Sequence, residues 1–140
     1  NSRLDTIQAA VGVEMLKKIK FITESRIKNA KYLNLRLGKN RNIKLIEEEK
    51  GYKSVFHLYQ FYCKKRDGLN SYLRKNKIDS KVHYPIPLHL HQAAKQFGYK
   101  KGDFPNSELL SKKVISIPVH EFIKKKDLDF MIKKVLDFYR

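Results

Sequence analysis

From Leu4 to Leu33 apolar residues return every three to five positions, through Ile7, Val11, Met15, Ile19, Ile22, Ile27 and Ala30. That period draws one apolar stripe along a helix and predicts a single helix from residue 4 to about residue 37. Ser2 is the expected N-cap, and Asp5 suits the positive helix start. Arg36 in the last turn and Gly38 beyond it form the expected stop. Gly12 is the one weak interior position. At 1.5 Å per residue this helix would be about 50 Å long. A small domain cannot cover such a length, so part of the stripe is expected to pack on something outside these residues. The chain opens on this helix without an initiator Met, and we expect it to be the later part of a longer protein.

The remainder alternates short elements. Ile43–Ile46 reads as a strand and Glu47–Lys53 as a turn. Ser54–Cys63, rich in aromatic and β-branched residues, reads as a second strand. Asp67 caps a helix running to about Lys77. Residues 78–88 are extended, because Pro85 and Pro87 exclude a helix interior. His89–Phe97 reads as a short helix closed by Gly98. Asn106 or Ser107 caps another through Leu110. Val114–Ile117 is a strand ended by Pro118, and Asp127–Tyr139 is the last helix. The order predicts an α+β fold: a long N-terminal helix and a small, mostly antiparallel sheet covered by helices. We expect residues 1–38 to form the long helix and 39–140 the small domain.

Composition narrows the class. The 140 residues carry 31 Lys and Arg against 14 Asp and Glu, a net charge of +17. Eight Phe and eight Tyr argue against a disordered basic tail. No apolar run approaches the roughly 20 residues of a spanning helix. The single cysteine, Cys63, excludes an internal disulfide framework and fits a reducing, cytoplasmic compartment. The charge itself leaves two readings: an electrostatic footprint for nucleic acid or acidic partners, or a lysine-rich solvated surface. The basic residues are spread from Arg3 to Arg140, not gathered into one arm.

The chemistry-bearing stretch is His83-Tyr84-Pro85-Ile86-Pro87-Leu88-His89-Leu90-His91-Gln92. Two prolines stiffen it, and rigid loops are where site residues tend to sit. His89 and His91 at i, i+2 would point to opposite sides of a strand, and no Cys or carboxylate follows at ligand spacing, so no metal site is expected. Cys63 at the end of an aromatic strand reads as a buried inert thiol. His57 reads as a sheet residue. The strand aromatics read as core, since the signature of base-stacking sheets is missing. No Gly-rich phosphate loop is present.

Two stretches carry more. Asn1-Ser2-Arg3-Leu4-Asp5-Thr6-Ile7-Gln8-Ala9-Ala10 resembles the Asn-x-Arg-Leu-Asp-x-Ile-Gln-Ala-Ala signature of the DegT/DnrJ/StrS-type sugar aminotransferases. His83-Tyr84-Pro85-Ile86-Pro87-Leu88-His89 resembles that family's His-Tyr-Pro-x-Pro-Leu-His segment, with one extra residue before Gln92. Arg66-Asp67-x-Leu69, Gly102-Asp103-Phe104-Pro105 and Ser116-Ile117-Pro118-Val119-His120 follow in family order. Lys77-Ile78 stands where the family has Gly-Ile.

The resemblance implies the C-terminal small domain of a fold-type I pyridoxal-phosphate enzyme, with the large cofactor domain elsewhere. It implies a homodimer, a nucleotide-linked keto-sugar as substrate and glutamate or glutamine as amino donor, for amino-sugar and surface polysaccharide synthesis. It places Asn1 on the cofactor phosphate of the neighbouring subunit, and Arg3, His83 and Tyr84 on the substrate. The family's Schiff-base lysine motif has no counterpart here, so no lysine is assigned as catalytic, and these residues alone are expected to be inactive. A non-catalytic regulatory relative and a basic binding module are the alternatives.

Overall fold

A computed structural model describes residues 3–140. The apolar period of the first segment is helical, but it resolves into two helices, α1 (Thr6–Leu16) and α2 (Ile19–Leu37). Lys18 leaves the helical path with φ −101° and ψ −4°, and its N–H reaches back only to the Met15 carbonyl at 3.0 Å. The last turn of α1 thus tightens to i→i−3 bonding. No residue of α1 is buried, so no packing holds the two lysines to a continuous ladder, whereas α2 buries Asn29, Ala30, Leu33 and Leu37. Asp5 is the N-cap of α1, and Gln8 Oε1 accepts the Asp5 N–H at 3.1 Å. The expected cap Ser2 lies outside the described residues.

Three strands form an antiparallel sheet in sequence order, β1 (Ile43–Leu45), β2 (Tyr59–Cys63) and β3 (Val114–Ile117). Phe61 faces Leu45 on one side and Ile115 on the other. The period of two along β2 separates its faces. Tyr59, Phe61 and Cys63 are buried toward the helices, and Gln60 and Tyr62 look to the opposite side, half-buried. The expected strand from Ser54 begins only at Tyr59. Arg26 explains the delay: its guanidinium donates to the Phe56 carbonyl at 3.4 Å and the His57 carbonyl at 3.1 Å. Phe56 sits at φ 51°, incompatible with a strand. Backbone acceptors that a ladder would have used are satisfied by a side chain instead. His57 is therefore exposed in a bend, not a sheet residue.

Helix α3 (Arg66–Lys75) begins one residue ahead of the expected cap, after Lys65 in the left-handed region at φ 52°. Asp67 lies in its first turn, where a carboxylate offsets the helix dipole. Helix α4 (Pro105–Lys113) starts at Pro105 and runs past the expected end at Leu110. Helix α5 (Lys125–Asp137) closes the chain. Helices α2, α3 and α5 pack together over one face of the sheet. The core is built on Leu33, Leu37, Phe61, Leu73, Ile115 and Val135, each fully buried. No helix among the described residues is long and apolar enough to cross a membrane.

The expected single helix over 89–97 is two 3₁₀ turns, Leu88–Leu90 and Gln92–Phe97. His91 between them is extended, at φ −66° and ψ 149°. Lys77, which stands in place of the family's glycine, sits at φ 60°. The turn into the extended segment thus keeps a shape that glycine adopts without strain.

Two stability outcomes follow from this packing. Phe61→Ala, at the centre of the sheet, should cost about 3–5 kcal/mol, whereas Ile7→Ala, 76% exposed, should cost under about 0.5 kcal/mol. Lys77→Gly should stabilise by about 0.5–1 kcal/mol, relief of left-handed strain outweighing the added chain entropy. Denaturant unfolding of the three variants measures all three numbers.

Candidate functional site

On the sheet face away from the helices, the segment after α3 runs along the free edge of β3. Lys81 pairs with Ser116 through both backbone bonds, at 2.8 and 3.0 Å. Ser116 is opposite Gln60 on the other side. Its backbone bonds go to Lys81, so Gln60–Ser116 is a non-hydrogen-bonded pair, the kind whose side chains approach closest. Gln60 Nε2 donates to Ser116 Oγ at 3.3 Å, and Ser116 Oγ lies 2.9 Å from His83 Nδ1. Two residues beyond the bridge, His83 is thereby fixed on the buried Ser116. Tyr84 is exposed, its ring edge-on to His83 at 5.5 Å between centroids.

His83 stands between two clefts. One, of about 310 Å³, runs under the loop between His83, Tyr84, Pro87 and the polar side chains of Gln60, Ser107 and Ser111. The other, of about 330 Å³, is bordered by Arg26, His57, Lys81, His120 and Ser116. The first offers neutral donors beside apolar walls, suited to a hydroxyl-bearing ligand. The second holds two cations, each already answered by an acid, Lys81 by Asp79 at 3.1 Å and Arg26 by Glu121 at 3.2 Å.

The rest of the loop is held by a polar anchor. His89 is buried, and its Nε2 lies 3.1 Å from Glu108 Oε1. The Gly102 N–H also donates to Glu108, at 2.6 Å. The Gly102 bond, with His89 adding to it, holds the Glu108 carboxyl below its ordinary pKa against the partial burial that pushes it up. Phe104 packs tilted against His89 at 4.8 Å between centroids, and Tyr99 meets Phe104 edge-on at 5.1 Å. His89 thus orders the loop from beneath, as its position in the motif suggests. His91 turns elsewhere, to the Ile86 carbonyl at 3.1 Å. Among the described residues no three metal-ligating side chains converge.

The residues expected to bind substrate are only partly brought together. His83 and Tyr84 adjoin. Arg3 is exposed ahead of α1 and borders neither cleft beside His83. Asn1 lies outside the described residues. Cys63 is buried, and burial pushes its thiol up, as an inert thiol requires. Sequence reasoning missed Gln60 and the contact of Ser116 with His83. The available signal was a polar residue at the outward positions of two otherwise aromatic and β-branched strands.

A three-stranded antiparallel sheet with α2, α3 and α5 on one face, and α4 with the anchored His-Tyr-Pro loop on the other, is an α+β domain. Solved structures share it closely. *S. venezuelae* DesV, solved with a ketimine intermediate, superposes with a TM-score of 0.94 at 29% identity, over 99% of this chain and 37% of that one. An aminotransferase of *Brucella abortus* gives 0.89 at 36% identity, over 99% and 36%. Residues 1–136 match the DegT/DnrJ/EryC1/StrS aminotransferase family, and the chain belongs to it. A pleiotropic regulatory protein of Geobacillus stearothermophilus is 33% identical over the whole chain and 38% of its own length. The dTDP-3-amino-3,4,6-trideoxy-alpha-D-glucose transaminase of Streptomyces venezuelae is 32% identical over 85% of this chain and 31% of its length. The chain therefore spans little more than a third of such relatives.

Pyridoxal phosphate, which the family implies, does not fit the described residues as a complete holder. No lysine among them is buried, and Lys81, the lysine beside His83, is exposed and held by Asp79.

The Glu108 anchor sets an acid limit. Its folded pKa lies below the unfolded one, so its contribution is whole above about pH 4.3 and fades as the pH falls through the folded value. Acid titration followed by near-ultraviolet circular dichroism of the Tyr99 and Phe104 region should show this loss, and Glu108→Gln should remove that pH dependence.

Proposed function

We propose that the chain is the C-terminal part of a pyridoxal-phosphate-dependent aminotransferase. Its reaction would transfer an amino group from glutamate or glutamine to a nucleotide-linked keto-sugar, in amino-sugar and surface polysaccharide synthesis. In this reading residues 1–38 bridge to a cofactor domain, residues 39–140 are the small domain, and two subunits share their sites in a cytoplasmic homodimer. The carrying observation is His83 between two clefts, with Tyr84 lining one of them, in a chain of this family. Relatives named as dTDP- and UDP-amino-sugar transaminases support the substrate class.

The bound cofactor supplies the electron sink for amino transfer. This chain's residues bind and orient. Asn1, a neutral amide donor, is assigned to the cofactor phosphate. Arg3 is assigned to a substrate phosphate, which a guanidinium fork suits. The His83 imidazole donates to a substrate oxygen, and Tyr84 offers an exposed ring and hydroxyl beside it. The anchor of His89 on Glu108 keeps these two from wandering, which preserves orientation at the reacting end.

A second reading, a regulatory relative that binds such ligands without turnover, is favoured by whole-chain similarity to a named regulatory protein and by 31% identity to a sensory transduction protein of Saccharopolyspora erythraea.

The test is turnover. The full-length protein, loaded with pyridoxal phosphate, should aminate a nucleotide-linked keto-sugar with glutamate or glutamine, read by mass spectrometry of the product. Tyr84→Ala should raise KM about fivefold, the worth of roughly one lost hydrogen bond. The 140-residue chain alone, treated with pyridoxal phosphate and borohydride, should be labelled on no single lysine. Ligand binding without turnover would favour the regulatory reading, and neither binding nor turnover would overturn both.

A further inference from the structure

We propose that Gln60 and Ser116 are positioning residues that set the tautomer of His83, so that its Nε2 carries the proton and acts as a hydrogen-bond donor toward an oxygen of the substrate. The inference rests on the proposed substrate role of His83 and names the atom that performs it.

A side-chain amide nitrogen only donates, so Ser116 Oγ accepts from Gln60 Nε2 at 3.3 Å. The serine has one proton, and with the Gln60 contact taken by a lone pair that proton is free. It has His83 Nδ1 at 2.9 Å to go to, whereas a proton on Nδ1 would use the second lone pair of Ser116 Oγ and leave the serine's own buried proton without a partner. A nitrogen that accepts has no proton of its own, so the neutral ring carries its proton on Nε2. All donors then run one way, from Gln60 through Ser116 to His83.

The fold enforces this order. Ser116 is 4% exposed, which leaves its hydroxyl little access to water. Its backbone is spent on Lys81, which holds the side chain at the non-hydrogen-bonded position against Gln60. The next aromatic, Tyr84, packs edge-on to the His83 ring at 5.5 Å and limits its rotation. An imidazole on an exposed loop would exchange tautomers freely. Here a buried hydroxyl reads one nitrogen and leaves the other for ligand. The chemistry recognised is an acceptor oxygen of the nucleotide-linked sugar, not a donor group.

The tautomer is read directly by ¹⁵N-edited nuclear magnetic resonance of the histidine rings in the 140-residue chain, with folding checked by circular dichroism. In the wild type the Nδ1 of neutral His83 should show the shift of a bare nitrogen and Nε2 that of a protonated one. Gln60→Glu supplies only acceptors, so it should turn the Ser116 proton away and move the His83 proton to Nδ1. Ser116→Thr keeps the hydroxyl and should keep the wild-type pattern. A proton on Nδ1 in the wild type, or no change with Gln60→Glu, would overturn the relay, and the wild-type spectrum decides the first even if a variant fails to fold. In the full-length enzyme Ser116→Ala should raise KM for the nucleotide-sugar about fivefold, with the change in KM and not in kcat. A correct tautomer with an unmoved KM would leave the relay standing and overturn the substrate role of His83.

Discussion

Ser116 is the joint on which the upper face of the molecule depends. Its backbone ties the segment after α3 to the edge of β3, its position in the register faces Gln60, and its hydroxyl touches His83. Ile78 and Ser80 are buried and fixed on α3, with Ser80 Oγ donating to Asn70 Oδ1 at 2.8 Å, and the bridge at Lys81 carries that hold onto the sheet just before a loop that is built from prolines and 3₁₀ turns. The loop has a second fixed point in His89 on Glu108. Between these two points lie His83 and Tyr84, the pair that the family resemblance assigns to substrate. A binding surface needs its groups held with their rotamers locked. Here the lower end is locked by a strand bridge and the far end by a buried charged hydrogen bond.

The helical face is organised by ordinary alternation. The order of elements, the two outer strands, α5 and the Pro-directed extended segment are all legible from period and from turn residues. Three features are not. The break at Lys17–Lys18 escapes a pattern analysis because the apolar period continues across it. What is missing is burial, which no sequence period records. The late start of β2 depends on Arg26, separated from Phe56 by 30 positions, and an aromatic run looks the same whether a ladder or a guanidinium takes its carbonyls. The contact of Ser116 with His83 spans 33 positions. Local propensity cannot see it. The His-Tyr-Pro loop itself was legible as a rigid segment, but its meaning came from resemblance to a family and not from spacing.

The large positive charge resolves by residue type. Two arginines do structural work that no lysine could copy. Arg26 pairs with Glu121 at 3.2 Å while donating to two carbonyls. Arg66, 7% exposed, donates to the Val114 carbonyl at 3.3 Å, while its Nε lies 2.7 Å from Asp67 Oδ1 as an ion pair without a hydrogen bond. A planar fork can serve a carboxylate and a backbone oxygen at once, and it is less costly to bury than a compact ammonium. The lysines divide differently. None is among the buried residues, and Lys17 and Lys81 pair with acids close to them in sequence at exposed positions, where such pairs contribute little.

The two kinds of cation therefore answer different needs. Arg26 and Arg66 donate to backbone carbonyls distant in sequence, and Arg26 closes the gap left where the chain before β2 departs from regular bonding. Lysines cover the surface and leave the fold indifferent to their number. The cleft beside His83 is where these needs meet, because Arg26 and Lys81 line it together. Two carboxylates, Asp79 and Glu121, already answer these two cations. The cleft's own field is thus weaker than the net charge suggests. Recognition beside His83 then falls to directed hydrogen bonds, where a single fixed donor counts for more than diffuse charge.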